Sequence, residues 1–345
     1  MTRAAATELP GLDLDRLTRW FDVELPGARA GELVARVLAG GRSNLTYLVQ
    51  DGVRRWVLRR PPLGHVLSTA HDMSREFRVV TALRETAVPV PTTYAFCADA
   101  DVVGAPFYVM DHVEGTVFRG DLQLHALGPA RSARIGERLI DVLADLHRVD
   151  AASVGLADLG RPEGFLERQI HRWGAQLDAS RSRPLTGIDE LRARLAADVP
   201  TTAGSALVHG DYRLDNLVVS DDDRVAAVLD WEMATLGDPL TDVALLVIYQ
   251  RTHELQMAAA GIEPPLAPGW PSETQLVERY AERSDCEVHD LGFHLGLAAF
   301  KAAVIIEGIH YRHVNRLTVG TGFDGVGDVV EPLVAIGLDS LEEQR

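Results

Sequence analysis

Lysine is nearly missing from this chain. Of 34 basic residues in 345, one is a lysine, Lys301, and the rest are arginines. Chemistry that needs a lysine amine, whether a Schiff base or a phosphate-loop lysine, has Lys301 or nothing to use. Positive charge is scarce as well: 50 Asp and Glu residues leave a formal net charge of −16. A general nucleic-acid binder needs a basic face to displace counterions, so no nucleic-acid partner is expected. A local basic pocket for an anionic ligand is still allowed. Two cysteines, Cys97 and Cys286, have no metal-ligand spacing, and a reduced, cytoplasmic protein is expected. No uninterrupted apolar run of about 18 residues occurs, so no membrane span or membrane partner is expected. The opening MTRAAATELPGLDLD lacks an apolar core of signal-peptide length. Internal repeats and low-complexity tracts are missing too.

What is present is an ordinary globular composition, 46% hydrophobic and 24% charged. The length suggests two domains or lobes of roughly 150 residues each. Leu14, Leu17 and Phe21 have helical spacing, so 1–29 reads as a helical N-terminal extension. Stretches 33–38 and 45–49 flank a Gly-Gly turn, and Asp51-Gly52 marks a second turn before RRWVLRR. Pro61 and Pro62 end that strand. Met73, Phe77, Val80 and Leu83 fall on one helical face of 71–86. VPVPTTYAFCA and APFYVMDHVEG read as two further strands, separated by the polar DADVVG. Residues 30–113 therefore form a small, mostly antiparallel β lobe with one main helix. Residues 114–345 form a larger, mainly helical lobe, with helices expected over 131–148, 163–178, 188–198, 239–251, 272–284 and 290–313. The exception is a strand–loop–strand unit at 206–231. The fold class is α+β, with two lobes.

That strand–loop–strand unit carries the chemistry. It contains His209-Gly210-Asp211-Tyr212-Arg213-Leu214-Asp215-Asn216 and then Asp230-Trp231-Glu232, each set beside a short apolar run. Strands hold such carboxylates rigidly while loops expose them. Asp211 and Asn216 are five apart across a loop, with Asp230 on the next strand. This supplies one candidate general base and two oxygen ligands for a hard cation such as magnesium. Phosphoryl transfer needs a group to orient the attacking hydroxyl and an Asn and an Asp to hold metal against the triphosphate. The D-x-x-x-x-N catalytic-loop pattern of the kinase-like group fits Asp211 to Asn216.

HGDYRLDN together with LDWE resembles the aminoglycoside phosphotransferase and choline kinase family, small-molecule kinases with the protein-kinase-like fold. The resemblance covers roughly residues 30–310. It implies ATP or GTP and Mg²⁺ as cofactors and a small-molecule hydroxyl as the acceptor. It makes Asp211 the catalytic base and Asn216 and Asp230 the magnesium ligands, with Arg213 near the base or the transferring phosphate. GGRSNLTYLV resembles the family's nucleotide loop, through Gly41, Ser43 and Asn44. FYVMDHVEG resembles the interlobe hinge, through Met110, Asp111, His112 and Val113. By itself the Gly-rich stretch reads more often as a hairpin turn than as a phosphate cradle; its place before the strand carrying Arg59 brings the two level. His209 is expected to support the loop backbone. Asp242 is expected to cap its helix or tie the loop. Glu232 can touch metal or face solvent.

The departure lies at the lysine. Members of the family carry a strand lysine that pairs a helix glutamate; VLRR offers Arg59 instead, with Glu76 as the expected partner. Adjacent strand residues face opposite ways, so Arg60 is expected to be a solvated surface charge. Arginine stays charged and binds phosphate bidentately, but it is bulkier than lysine. VLRRPPLG, AHDMSREFRVV and LDWEMATLGDPLTDVALL resemble more closely the phosphotransferase domain fused to some acyl-CoA dehydrogenases. That resemblance implies a hydroxyacyl-CoA-like acceptor, with aminoglycosides as an alternative and a nucleotide-binding pseudokinase as another. Candidate acceptor contacts are 171–173 and 307–316 of the helical lobe. The apolar run in the 317–345 tail packs on that lobe or on a partner, which leaves a homodimer open.

Overall fold

The computed structural model describes residues 9–38, 44–63, 72–119, 121–202, 204–259, 266–316, 323 and 325–343. The chain divides into two compact units. One is Met1–Thr116 with Ala226–Met233, the other Val117–Val225 with Ala234–Arg345. The sequence predicts a boundary at 113, with 1–29 apart and 226–233 in the large lobe. Two features draw those segments into the first unit. Helix α1, Leu14–Glu24, buries Leu17 and Phe21, and the Phe21 ring meets Trp56 edge-on at 5.4 Å. Val228 N–H donates to the Pro89 carbonyl at 2.8 Å.

The first unit is built on an antiparallel sheet of β1 (Val34–Val37), β2 (Leu45–Gln50), β3 (Arg55–Arg60), β4 (Thr93–Cys97) and β5 (Phe107–Asp111), in the order β1-β2-β3-β5-β4. The Asp51 turn forms because that carboxylate accepts the N–H groups of Val53 and Arg54, at 2.9 and 2.7 Å. Backbone N–H donors, that of Arg54 foremost, hold its carboxyl down at about 2. Helix α2, Met73–Leu83, starts at Asp72, which accepts from Ser74 and Arg75 N–H. Its buried face is Met73, Glu76, Val79, Val80 and Leu83, while Phe77 is half-buried and packs near Tyr108. DADVVG, the polar segment between two strands, holds a short helix, α3 (Ala100–Val103), capped by Asp99 and ended by Gly104 at φ 87°.

The second unit holds helices α4 (Asp121–His125), α5 (Pro129–His147), α6 (Phe165–Ser180) and α7 (Ile188–Ala197) before the strand segment. The strands are short: β6 (Ala206–Val208), β7 (Leu217–Val219), β8 (Val225–Val228, leading into the segment of the first unit) and β9 (Thr235–Gly237). Strands β6 and β9 pair antiparallel. Then follow α8 (Leu240–Ala259), α9 (Glu273–Arg283), α10 (Leu291–Val314) and α11 (Val330–Glu342). Every long helix expected from the sequence is present.

Helix α10 is the centre of this unit. By length and hydropathy it is apolar enough to cross a membrane, although charged and polar residues interrupt it, yet 72% of its most apolar stretch is buried. Its apolar surface is used against α6, α8 and α11. The tail run is helix α11, and it packs within the unit against α10 and α7. Gly337 makes that approach close: a Cβ there would sit 2.8 Å from the Leu191 side chain and 3.1 Å from that of Ala299.

Candidate active site

In the first unit, strand alternation sends Arg59 and Arg60 to opposite faces of β3. Arg59 faces α2. Its Nε lies 2.9 and 3.0 Å from the two Glu76 carboxylate oxygens, and its Nη2 bonds Asp230 Oδ1. Arg59 is 8% exposed and Glu76 1%. Burial alone would discharge both groups. It does push the Glu76 carboxyl up, although Arg59 pulls it back. Burial opposes the Arg59 charge too, but Glu76 and Asp230 overcome it and raise the guanidinium above its ordinary value. Asp230 has φ 67°, a left-handed backbone uncommon outside glycine. Trp231 Nε1–H donates to Val228 O at 3.0 Å and fastens the same turn.

Arg60 is not the solvated charge expected of it. It is 4% exposed and donates from Nη1 to the carbonyls of Gly11 and Val103 and from Nε to Pro61 O. The local pattern could not reveal the Gly11 and Val103 acceptors, because they come from the segment before α1 and the end of α3. Asn44 is buried, and its Nδ2 donates to Glu232 Oε2 at 2.9 Å. That contact gives Glu232 a definite neighbour where the sequence left a choice between metal and solvent. The Asn44 Oδ1 is buried with no hydrogen-bond partner among the described residues. Gly41 and Ser43 lie outside the described residues.

Met110 and Asp111 end β5, opposite Val57 and Trp56. Asp111 N–H donates to Thr92 O, and its carboxylate accepts from Tyr94 OH at 3.3 Å. His112 N–H reaches Arg55 O at 3.4 Å, and burial lowers the imidazole from its ordinary value. No backbone hydrogen bond engages Val113 among the described residues.

In the second unit, β6 delivers His209, Gly210 and Asp211. Asp242, at the start of α8, accepts from the N–H groups of His209 (2.6 Å) and Gly210 (2.8 Å). It thus ties the loop, one of the two roles expected for it. Burial opposes its charge, yet the hydrogen bond from His147 and the His209 N–H leave its carboxyl below the usual value. Gly210 has φ 81°, which a side chain would strain. His209 is fully buried, and its Nδ1 accepts from Asp211 N–H at 3.2 Å. Asn216 Nδ2 donates to Asp211 O (2.9 Å) and Oδ2 (3.1 Å), while Tyr249 OH donates to Oδ1 at 2.6 Å. Burial and the neighbouring Asp211 keep the Tyr249 proton firmly in place, so Tyr249 is the donor. Arg213 forms a two-pronged pair with Asp215 and lies 4.7 Å from the Tyr249 ring centre.

Residues 34–274 match the family model described as the phosphotransferase enzyme family (APH), more than half of the chain. The chain belongs to the phosphotransferase enzyme family. Acyl-CoA dehydrogenase family member 11 of Rattus norvegicus is 34% identical over 98% of this chain and 44% of its own length. The chain therefore spans less than half of that relative. A crystal structure from Ralstonia eutropha, described as a candidate aminoglycoside phosphotransferase, is 31% identical, with a TM-score of 0.82, over 96% of this chain and 98% of that one. A thermostable mutant of aminoglycoside phosphotransferase APH(4)-Ia, solved with AMP-PNP and hygromycin B, covers 94% of this chain and 98% of its own, with 16% identity and a TM-score of 0.59. That last likeness concerns the fold, which is the kinase-like fold of these enzymes.

In this family member Tyr249, His147 and Lys301 surround the loop, and none was expected there from the sequence. Tyr249 was findable: it lies two helical turns after Asp242, on the same face of α8. His147 ends α5, with Nε2 3.3 Å from Asp242 and Nδ1 2.7 Å from Tyr280 OH. Of the acceptor candidates, His171 and Arg172 are exposed and line an open cavity of about 560 Å³ with Glu167, Arg168 and Gln169, while Trp173 is buried. Glu307 is buried and accepts from Ser182 and Arg183, a tie within the unit. Among the described residues no three His, Cys, Asp or Glu side chains gather as a metal site.

Proposed function

We propose that this chain is an ATP- or GTP-dependent, magnesium-assisted kinase that moves the γ-phosphoryl group to a hydroxyl of a small molecule. The observation that carries the reading is the posture of Asp211. Both its oxygens are held by neutral donors, Tyr249 OH and Asn216 Nδ2. Each carboxylate oxygen keeps a further lone pair for the proton of an acceptor hydroxyl. In this role Asp211 orients the hydroxyl and takes its proton as the oxygen–phosphorus bond forms, and the nucleoside diphosphate leaves. Preorganisation is most of what a protein contributes to such a step.

The cation at the strand position supports an active enzyme over a pseudokinase. Arg59 makes the ion pair with a helix glutamate that the family's lysine makes, and it remains charged although buried. Its guanidinium suits the α- and β-phosphates. Asn44, with its unpartnered buried oxygen, and the Met110–Val113 backbone are the further nucleotide contacts of this reading, adenine at the latter. The ligand types suit magnesium. Asn216 of the second unit spends its Nδ2 on Asp211 and leaves Oδ1, and Asp230 of the first offers carboxylate oxygen, each a hard ligand of the kind magnesium takes. Magnesium, when bound, would neutralise charge on the phosphates. Similarity to acyl-CoA dehydrogenase family members favours a hydroxyacyl-CoA-like acceptor over an aminoglycoside.

The test is a phosphotransfer screen with radiolabelled γ-phosphate across hydroxyacyl-CoAs, aminoglycosides and amino alcohols. Label should enter a hydroxyacyl-CoA. Asp211→Asn should abolish turnover and largely spare nucleotide binding. A wild-type rate in that variant refutes the assignment of the base.

A further inference from the structure

The one lysine in the chain lies where a charge is costly. Lys301 sits on α10, half-buried in the second unit. Its ammonium donates to the Gly210 carbonyl and lies 5.3 Å from the centre of the Trp173 ring. Among the described residues no carboxylate pairs with it. The charged groups that act on it are Asp211 of the loop, Asp242 of α8 and, with opposite effect, Arg172 of α6. Burial lowers its tendency to hold a proton, and the two aspartates restore part of it. An apolar side chain of similar length would fill this place without the desolvation penalty. Packing therefore does not account for an ammonium here.

The other atoms of the loop complete the picture. Gly210 N–H and His209 N–H are held by Asp242, and Asp211 N–H by His209 Nδ1. The Asp211 carbonyl is held by Asn216, and its carboxylate by Asn216 and Tyr249. The Gly210 carbonyl is the far end of the peptide whose nitrogen belongs to Asp211, and Lys301 holds it. A glycine at φ 81° can swing this peptide with little steric resistance, so an external anchor has a purpose.

We propose that Lys301 is a positioning residue of the phosphotransfer step: its ammonium locks the Gly210–Asp211 peptide and sets a positive charge beside the base. The proposal rests on the reading of Asp211 as that base. Replacing Lys301 by Met removes both the bond and the charge; Lys301→Gln removes the charge but keeps a donor. In the full chain, Lys301→Met should lower kcat by ~100-fold, the scale of a base displaced by about 1 Å. The KM for nucleotide should stay nearly unchanged, and Lys301→Gln should fall between Met and wild type.

A single lysine also provides a spectroscopic readout. Protein grown with ¹³C-lysine gives one Cε signal, whose pH titration reports Lys301 alone. In Asp211→Asn the titration midpoint should move to lower pH, because a negative neighbour is gone. A purely structural lysine, indifferent to Asp211, would keep its midpoint. An unchanged midpoint, or a folded Lys301→Met enzyme with wild-type kcat, overturns the proposal. If Lys301→Met does not fold, the midpoint measurement decides. Turnover surviving in Asp211→Asn would sink the assignment of the base instead, so the two failures are distinguishable.

Discussion

Removing the Arg59 side chain while leaving Glu76 in place is the sharpest test of the first unit's polar core. In Arg59→Met the Glu76 carboxylate stays buried, 1% exposed, with its principal counter-charge deleted. Two routes give the magnitude. Unit charges about 4 Å apart at an effective dielectric near 20 interact by ~4 kcal/mol. Breaking a buried pair by removing one partner costs about 3–5 kcal/mol. The second pair, to the more exposed Asp230, adds less. The expected loss is therefore ~4 kcal/mol, a large share of the ~5–15 kcal/mol that holds a native protein together.

The loss should also depend on pH in a defined direction. The Glu76 carboxyl already lies above its ordinary value near 4.5, and without Arg59 it rises further. Between those values the folded state holds a proton that the unfolded state has lost, so stability falls as pH rises. Arg59→Met should accordingly be least damaged near the ordinary carboxyl value and most damaged above the raised one. Urea unfolding across that range, for Arg59→Met, Glu76→Gln and the double variant, makes the measurement. The double variant should recover most of the loss, since no charge is stranded. A cost below about 1 kcal/mol in Arg59→Met, or a double variant no better than the single, would refute the reasoning.

Two further outcomes follow from the loop. Tyr249→Phe deletes a hydrogen bond to a carboxylate, worth about 1.5–3 kcal/mol. kcat should drop at least ~10-fold, the rate equivalent of ~1.4 kcal/mol, with a loss of urea stability no larger than that bond; an unaltered kcat would remove Tyr249 from the machinery. Asp242→Asn should destabilise the second unit at neutral pH. The Asp242 carboxyl is held below its ordinary 3.8, so its contribution is present above that value and lost as pH falls through the lowered one. The stability gap between wild type and Asp242→Asn should close in acid; a gap that does not depend on pH would contradict the tie drawn to His209 and Gly210.

The sequence by itself determined the elements and the family. Helical periodicity and turn residues are local properties, and they placed the β-rich and helical segments. The D-x-x-x-x-N spacing is local too: five residues of loop suffice for Asn216 to reach back to Asp211. Strand alternation let only one of Arg59 and Arg60 face Glu76, and the position after Val57-Leu58 pointed to Arg59, which makes the pair. Only the tertiary structure decided what surrounds those residues. Arg60 finds carbonyls 49 and 43 residues away, so its burial could not be read from an arginine pair at a strand end. Lys301 reaches Gly210 across 91 positions and Tyr249 reaches Asp211 across 38. Those contacts depend on how helices pack, which the period of one helix does not encode. Composition revealed that the chain has a single lysine; packing put that lysine against the peptide before Asp211.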